Sequence, residues 1–145
     1  MYKHKITKIS AVEQSQLLEF YKKVYFNRHK NLINNWRWWY RNDYSQHETL
    51  ILSLEKKIVG QAGLQPVNLN VNGEKILAAW FLDFAILPEF RGKGFGKEFL
   101  ISAIDLFENE KECVMHARIK VENIPSKKLF ENVGFKLLKK KENLL

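Results

Sequence analysis

One stretch constrains this chain more than any other: FAILPEFRGKGFGKEFL, from Phe84 to Leu100. An apolar run ends at Pro88. Gly92, Gly94 and Gly96 follow within five positions, and Lys97 to Glu108 then places Phe99, Leu100, Ala103, Ile104 and Phe107 on one helical face. Strand, glycine turn and helix must therefore meet at a single junction. Glycine permits positive φ and a close approach of ligand to backbone. Amides exposed where a loop enters a helix make an anion site, aided by the helix dipole. Arg91, Lys93 and Lys97 add positive charge. By residue chemistry this junction binds a phosphate or pyrophosphate; the plainer alternative is a tight turn with no ligand.

Two common phosphate loops do not match. A P-loop requires G-x-x-x-x-G-K-S/T, but Gly96-Lys97 is followed by Glu98, and Arg91 stands where the first glycine belongs. A dinucleotide fingerprint requires G-x-G-x-x-G early in a βαβ unit, whereas the spacing here is G-x-G-x-G.

The rest of the chain supplies a mixed α/β pattern. Ile6 to Ile9 reads as a short strand. Val12 to Phe26 reads as a helix with Leu17, Leu18, Tyr21, Val24 and Tyr25 on one side, and Leu32 to Arg41 as a second helix. Strand signals cover His47 to Leu54, Lys57 to Val71 and Lys75 to Leu87. Gly60, Gly63 and Pro66 predict a bend or bulge in the middle one. Asn72-Gly73 is a hairpin turn. Beyond the glycine loop, Cys113 to Val121 reads as a strand, Pro125 to Val133 as a short helix closed by Gly134, and Phe135 to Lys141 as a last strand. Hairpins first and β-α-β-α-β afterwards predict one domain, residues 1–145, with a mixed sheet and helices on both faces.

The junction and a second block carry a resemblance. Arg91-Gly92-Lys93-Gly94-Phe95-Gly96 is similar to the Q/R-x-x-G-x-G/A signature of the GNAT superfamily of N-acyltransferases, and Ile86-Leu87-Pro88-Glu89-Phe90 to its V-x-P-E-Y/F lead-in. Asn123 to Phe130, then Gly134-Phe135, resembles its N-x-x-A/S-x-x-L/F-Y/F-x-x-x-G-F. The resemblance implies a mixed, mostly antiparallel sheet of six to seven strands, splayed between the fourth and fifth, with acetyl-CoA in the gap and no metal. It implies that the amides from Arg91 to Lys97 hold the CoA pyrophosphate, that the backbone of Phe84 and Ile86 bonds the pantetheine arm and acetyl carbonyl, and that the Ile86 amide polarises the thioester. By the same resemblance Asn123 and Phe130 line the cofactor, although Asn123 reads equally as a helix cap before Pro125.

The usual acid–base groups are absent. Where many relatives carry a glutamate, four residues before Phe84, this chain has Trp80. Where they often carry a tyrosine it has Phe130. Two titratable candidates remain. Asp83 lies on the same strand but with opposite parity to Trp80, which turns it toward a helix. His116 sits on the fifth predicted strand, and histidine is the side chain type that ordinarily changes charge near neutral pH. Three readings stay open: proximity and the amide suffice, another group serves, or the protein binds acyl-CoA without turnover. Cys113 reads as a buried strand residue rather than a nucleophile.

On the acceptor side, Asn34 to Asp43 packs three tryptophans and a tyrosine into five positions. Trp36 and Tyr40 share a helix side, while Trp38 lies about 160° from Trp36. At least one ring is therefore exposed. Trp36, Arg37, Tyr40 and Trp80 are the candidate acceptor contacts, with Arg37 and Arg41 able to take an acceptor phosphate. Aromatic planes suit sugar faces. The expectation is direct acetyl transfer to a primary amine of a small molecule such as an amino sugar; a protein or peptide amine, and a non-catalytic acyl-CoA-binding module, are the alternatives.

The formal net charge of +8 favours an anionic ligand, with Lys136, Lys139, Lys140 and Lys141 forming a local basic end. No nucleic-acid motif accompanies it, which argues against a nucleic-acid partner. One cysteine and no zinc spacing, no apolar run near the ~20 residues of a span and no signal-type N-terminus point to a cytoplasmic setting without a membrane partner. Leu144 and Leu145 leave room for a homodimer contact.

Overall fold

A computed structural model describes residues 4–40, 49–108 and 114–138. Its order is β1 (His4–Lys8), α1 (Gln14–Val24), α2 (His29–Tyr40), β2 (Leu50–Leu54), β3 (Lys57–Val71), β4 (Glu74–Ile86), α3 (Phe95–Glu108), β5 (Val114–Ala117) and α4 (Ile124–Asn132). The strands form one sheet in the order β1-β2-β3-β4-β5. All pairs are antiparallel except β4–β5, which is parallel.

Alternation within β3 fixes the layers. A Cβ on Gly60 would come within 3.3 Å of the Phe99 ring, so this face meets α3. The next residue, Gln61, accepts the Tyr21 hydroxyl at 2.6 Å, so the opposite face meets α1. On that side α1 buries Leu17, Phe20 and Tyr21, and α2 buries Leu32, Ile33, Trp36 and Tyr40 at the helical spacing of three and four. On the α3 side the rings of Phe81, Phe84, Phe130 and Phe135 interlock. Centroids lie 5.8 Å apart for Phe81–Phe130, 5.9 Å for Phe84–Phe130 and 5.0 Å for Phe130–Phe135. The buried Phe81 and Phe130 each contribute about 1.5–3 kcal/mol, and the half-buried Phe84 and Phe135 less.

Asn72 and Gly73 both have positive φ, 51° and 85°, the geometry that matches the twist of a two-residue hairpin. The long β3–β4 ladder carries the irregularity that matters. Gln61 pairs with Ala85 and Gly63 with Leu82, so two steps on β3 answer three on β4. β4 therefore holds one extra residue, and Asp83 within it has φ +48°. Gly63 permits the bulge, since a Cβ there would lie 2.1 Å from the Leu82 carbonyl oxygen.

Two expectations need correction. Among the described residues the sheet has five strands, not six or seven. Phe135 to Leu138 form no strand, and 139–141 lie outside the described residues. The Phe135 backbone is committed elsewhere: its amide donates to the Phe130 carbonyl at 3.0 Å, closing α4 behind Gly134 at φ +106°. The second correction is one of parity: strict alternation sets Asp83 opposite Trp80, a relation the bulge removes, while Asp83 does turn toward a helix as expected, its carboxylate meeting Arg28 and Tyr40.

Candidate functional site

The β4–β5 pairing runs only from Ala78↔Val114 to Phe81↔Ala117. Past that point β4 continues through Leu82 to Ile86 while β5 has ended, so the sheet splays and one edge of β4 is open. The Leu87 amide donates to Val59 on β3 at 2.8 Å. Backbone groups alternate along an extended strand, so the amides of Ile86 and Phe84 point the other way, into the gap.

The glycine loop closes the end of that gap. Pro88–Phe90 make a single 3-10 turn. Gly92 and Gly94 then take φ +72° and +87°, and Glu98 N–H donates to Gly94 O at 3.1 Å as the first bond of α3. This leaves the amides of Phe95, Gly96 and Lys97 at the helix start without helical acceptors. Arg91 turns back: its Nε donates to the Ile86 carbonyl at 2.9 Å, which locks the loop to the end of β4. Lys93 lies 5.9 Å from the Phe90 ring centre and Lys97 is exposed. Glu89 pairs with Lys57 at 3.0 Å and Lys23 at 3.9 Å, tying the turn to β3 and α1.

Across the gap, Asn123 caps α4 by accepting Ser126 N–H at 3.3 Å. Phe130 is buried among Phe81, Phe84 and Phe135. His116, paired in register with Trp80, has its ring 5.5 Å from the indole, and Arg118 lies 5.3 Å from the same indole.

Asp83 is heavily engaged. Its carboxylate accepts Arg28 at 2.9 and 3.4 Å and the Tyr40 hydroxyl at 2.7 Å, while its carbonyl accepts the Tyr25 hydroxyl. Burial, then the Asp83 charge, pushes the Tyr25 and Tyr40 phenols far above their ordinary values, so both stay donors. The same causes raise Tyr21. The hydrogen bond to Asp83 strengthens the hold of Arg28 on its proton.

The acceptor candidates divide. Trp36 and Tyr40 are buried, with Arg37 5.4 Å from the Trp36 ring. Trp38 is 78% exposed and Trp39 41%, their rings edge to face at 4.8 Å, which places the exposed aromatics one and two residues from the expected pair. Arg41, Cys113, Lys139, Lys140, Lys141, Leu144 and Leu145 lie outside the described residues. Sequence reading missed Arg28, Tyr25 and Gln61 as site residues. A signal existed for the tyrosine: Tyr25 directly follows α1, whose Tyr21 lies on the packed face, a hydroxyl there needs a partner, and β4 carries one charge in its apolar run.

The profile of the acetyltransferase (GNAT) family matches residues 10–135. The chain belongs to that family. It is a GNAT-type N-acetyltransferase by family, and solved structures share its fold. An aminoglycoside N-acetyltransferase in complex with CoA is 15% identical, with a TM-score of 0.77 over 100% of this chain and 95% of that one. A transcriptional regulator from Bacillus halodurans C-125 is 12% identical, with a TM-score of 0.78 over 99% of both chains. A ribosomal-protein alanine N-acetyltransferase from Escherichia coli is 16% identical, with a TM-score of 0.72 over 94% of this chain and 80% of that one. No curated protein matches. Among the described residues no helix is long and apolar enough to cross a membrane, and no group of side chains has the make-up of a metal site.

Proposed function

We propose that this GNAT protein transfers the acetyl group of acetyl-CoA directly to a primary amine of a small molecule, with an amino sugar as the first acceptor class to test. The observation that carries the reading is the open edge of β4 running into the glycine loop. Gap-facing amides of Phe84 and Ile86 continue into a positive-φ turn and the start of α3, a continuous row of donors for a pantetheine arm and a pyrophosphate.

In this reading the Ile86 amide hydrogen-bonds the thioester oxygen and stabilises the charge that develops there. The deprotonated acceptor nitrogen attacks the carbonyl carbon, a C–N bond forms, and the C–S bond breaks. The proton lost by the amine leaves to solvent and the thiolate takes one up. Trp80 and Phe130 carry no exchangeable carboxyl or phenol, and the Asp83 carboxylate already has Arg28 and Tyr40 as donors. His116, half-buried beside Trp80, is the remaining titratable candidate beside the gap, and proximity supplies the larger share of the acceleration. Trp38 and Trp39 offer exposed planes for a sugar face. The neighbour that acts on aminoglycosides supports a small-molecule acceptor. The neighbour that acts on a ribosomal-protein alanine keeps a protein amine in view.

A second reading, an acyl-CoA-binding module without turnover, is favoured by Trp80 and Phe130 at the two usual acid–base positions. Release of free CoA thiol from acetyl-CoA across an amine panel separates the two. Acetylation of any amino sugar supports transfer; CoA binding with no turnover on any amine supports the binding module.

A further inference from the structure

Within the described strands Asp83 is the one non-glycine residue with positive φ; the other two such residues, Glu55 and Asn72, are in hairpin turns. A left-handed conformation at such a residue is costly and persists only when its surroundings hold it there. The holders come from one place in the chain. Tyr25 follows α1, Arg28 lies in the turn between α1 and α2, and Tyr40 ends α2. Tyr25 grips the Asp83 carbonyl, and Arg28 and Tyr40 grip its carboxylate. Only 19% of the Asp83 side chain is exposed.

What the bulge controls is the direction of everything after it. Side-chain and amide directions alternate with a period of two, so losing the extra residue would flip each later position to the other side. The Phe84 and Ile86 amides would turn toward β3. The Phe84 ring would leave Phe99 and Phe130, from which it now lies 5.8 and 5.9 Å.

We propose that Asp83 is a positioning residue: clamped by Tyr25, Arg28 and Tyr40, it holds the β4 bulge that aims the Phe84 and Ile86 amides at the acetyl thioester. This rests on the acetyl-transfer reading above. It couples the helices on the acceptor side to the acyl-binding strand through one carboxylate, and it gives that carboxylate a role other than proton transfer.

The discriminating substitution is to glycine. Glycine adopts φ near +48° freely, so Asp83→Gly keeps the bulge while discarding the carboxylate. Asp83→Ala discards both. The probe is acetyl-CoA labelled with carbon-13 at its carbonyl, whose resonance moves downfield when an amide polarises it. The wild-type complex is expected to show that displacement. Read at saturating acetyl-CoA, Asp83→Ala loses most of it and also binds CoA more weakly, because the Phe84 amide turns away from the pantetheine arm, and Asp83→Gly recovers most of both. Arg28→Met and Tyr40→Phe reduce the displacement in the wild-type background but not in Asp83→Gly. Should Asp83→Ala fail to fold, Tyr40→Phe, which removes one hydroxyl, provides the same comparison. If the wild-type complex shows the displacement and the glycine and alanine variants lose it alike, or if Tyr40→Phe leaves it whole, the clamp is wrong and the acetyl-transfer reading stands. If wild type binds neither CoA species, or binds acetyl-CoA with no displacement, polarisation by these amides is wrong and the clamp falls with it.

Discussion

Gly94 and Gly96 are two residues apart in the same loop, yet the structure assigns them opposite responses to alanine. Gly94 has φ +87° and open space where a Cβ would go, so nothing is crowded and the whole cost is backbone strain. That strain is about 1–2 kcal/mol, partly offset by the lower entropy of the unfolded alanine chain, leaving a net loss of about 1 kcal/mol. For a domain of this size the midpoint falls by about 2–4 °C. Gly96 has no such strain. Its Cβ would rest 3.6 Å from Ile86 and 3.7 Å from Leu129, ordinary contact distances, inside the first turn of α3. Alanine there gains up to about 1 kcal/mol of helix propensity and raises the midpoint by about 1–3 °C. The functional effect follows the same split. Relieving strain at position 94 rotates the amides that open α3, so CoA affinity falls by about tenfold, or about 1.4 kcal/mol. In Gly96→Ala it stays within about threefold. Scanning calorimetry and titration calorimetry with CoA read both effects. Equal midpoint losses in the two variants, or unchanged CoA affinity in Gly94→Ala, would refute the assignment of the loop amides.

Phe130→Ala removes the hub of the aromatic cluster beneath the gap and should cost about 3–5 kcal/mol, read by urea unfolding; a loss under about 1 kcal/mol would mean the cluster repacks freely. The Tyr21, Tyr25 and Tyr40 phenols, raised by burial and then by Asp83, favour the folded state at any pH below their ordinary value near 10. That contribution is lost progressively as pH rises from the unfolded value toward the raised folded values, so these three should ionise only with global unfolding, seen as a phenolate absorbance step coincident with loss of far-ultraviolet dichroism. Trp38→Ser should leave stability within about 0.5 kcal/mol, because the ring is 78% exposed, while raising KM for a free amino sugar acceptor in steady-state assays. Unchanged KM would remove Trp38 from the acceptor site.

Much of the fold was legible because its signals are local. Strand β3 begins and ends where glycine, proline and alternation place it, at Lys57 and Val71, and the Asn72-Gly73 turn carries its own φ requirement. The glycine loop and α3 are equally local. Three things were not legible. The bulge depends on Gly63 meeting the Leu82 carbonyl, a contact between strands, and it reversed the parity expected for Asp83. Arg28 offered no signal, since its partner lies 55 residues away. The Trp36 to Tyr40 run gave the right helix and the right prediction of an exposed ring, but Trp36 itself packs inward with Leu32, Ile33 and Tyr40. Phe135 was misread as the start of a strand because an apolar residue after Gly134 looks alike whether it extends a sheet or anchors a helix end.

The most direct test of the whole account is thermal unfolding with acetyl-CoA, CoA and ATP in parallel. A ligand that binds only the folded state stabilises it by about 2.7 kcal/mol at a hundred times its dissociation constant, about 5–10 °C for this chain. The splayed β4 edge and the glycine loop predict that rise with acetyl-CoA and with CoA, and little with ATP, which lacks the pantetheine arm. No rise with either CoA species, or an equal rise with ATP, would contradict the claim that this gap is built for acyl-CoA.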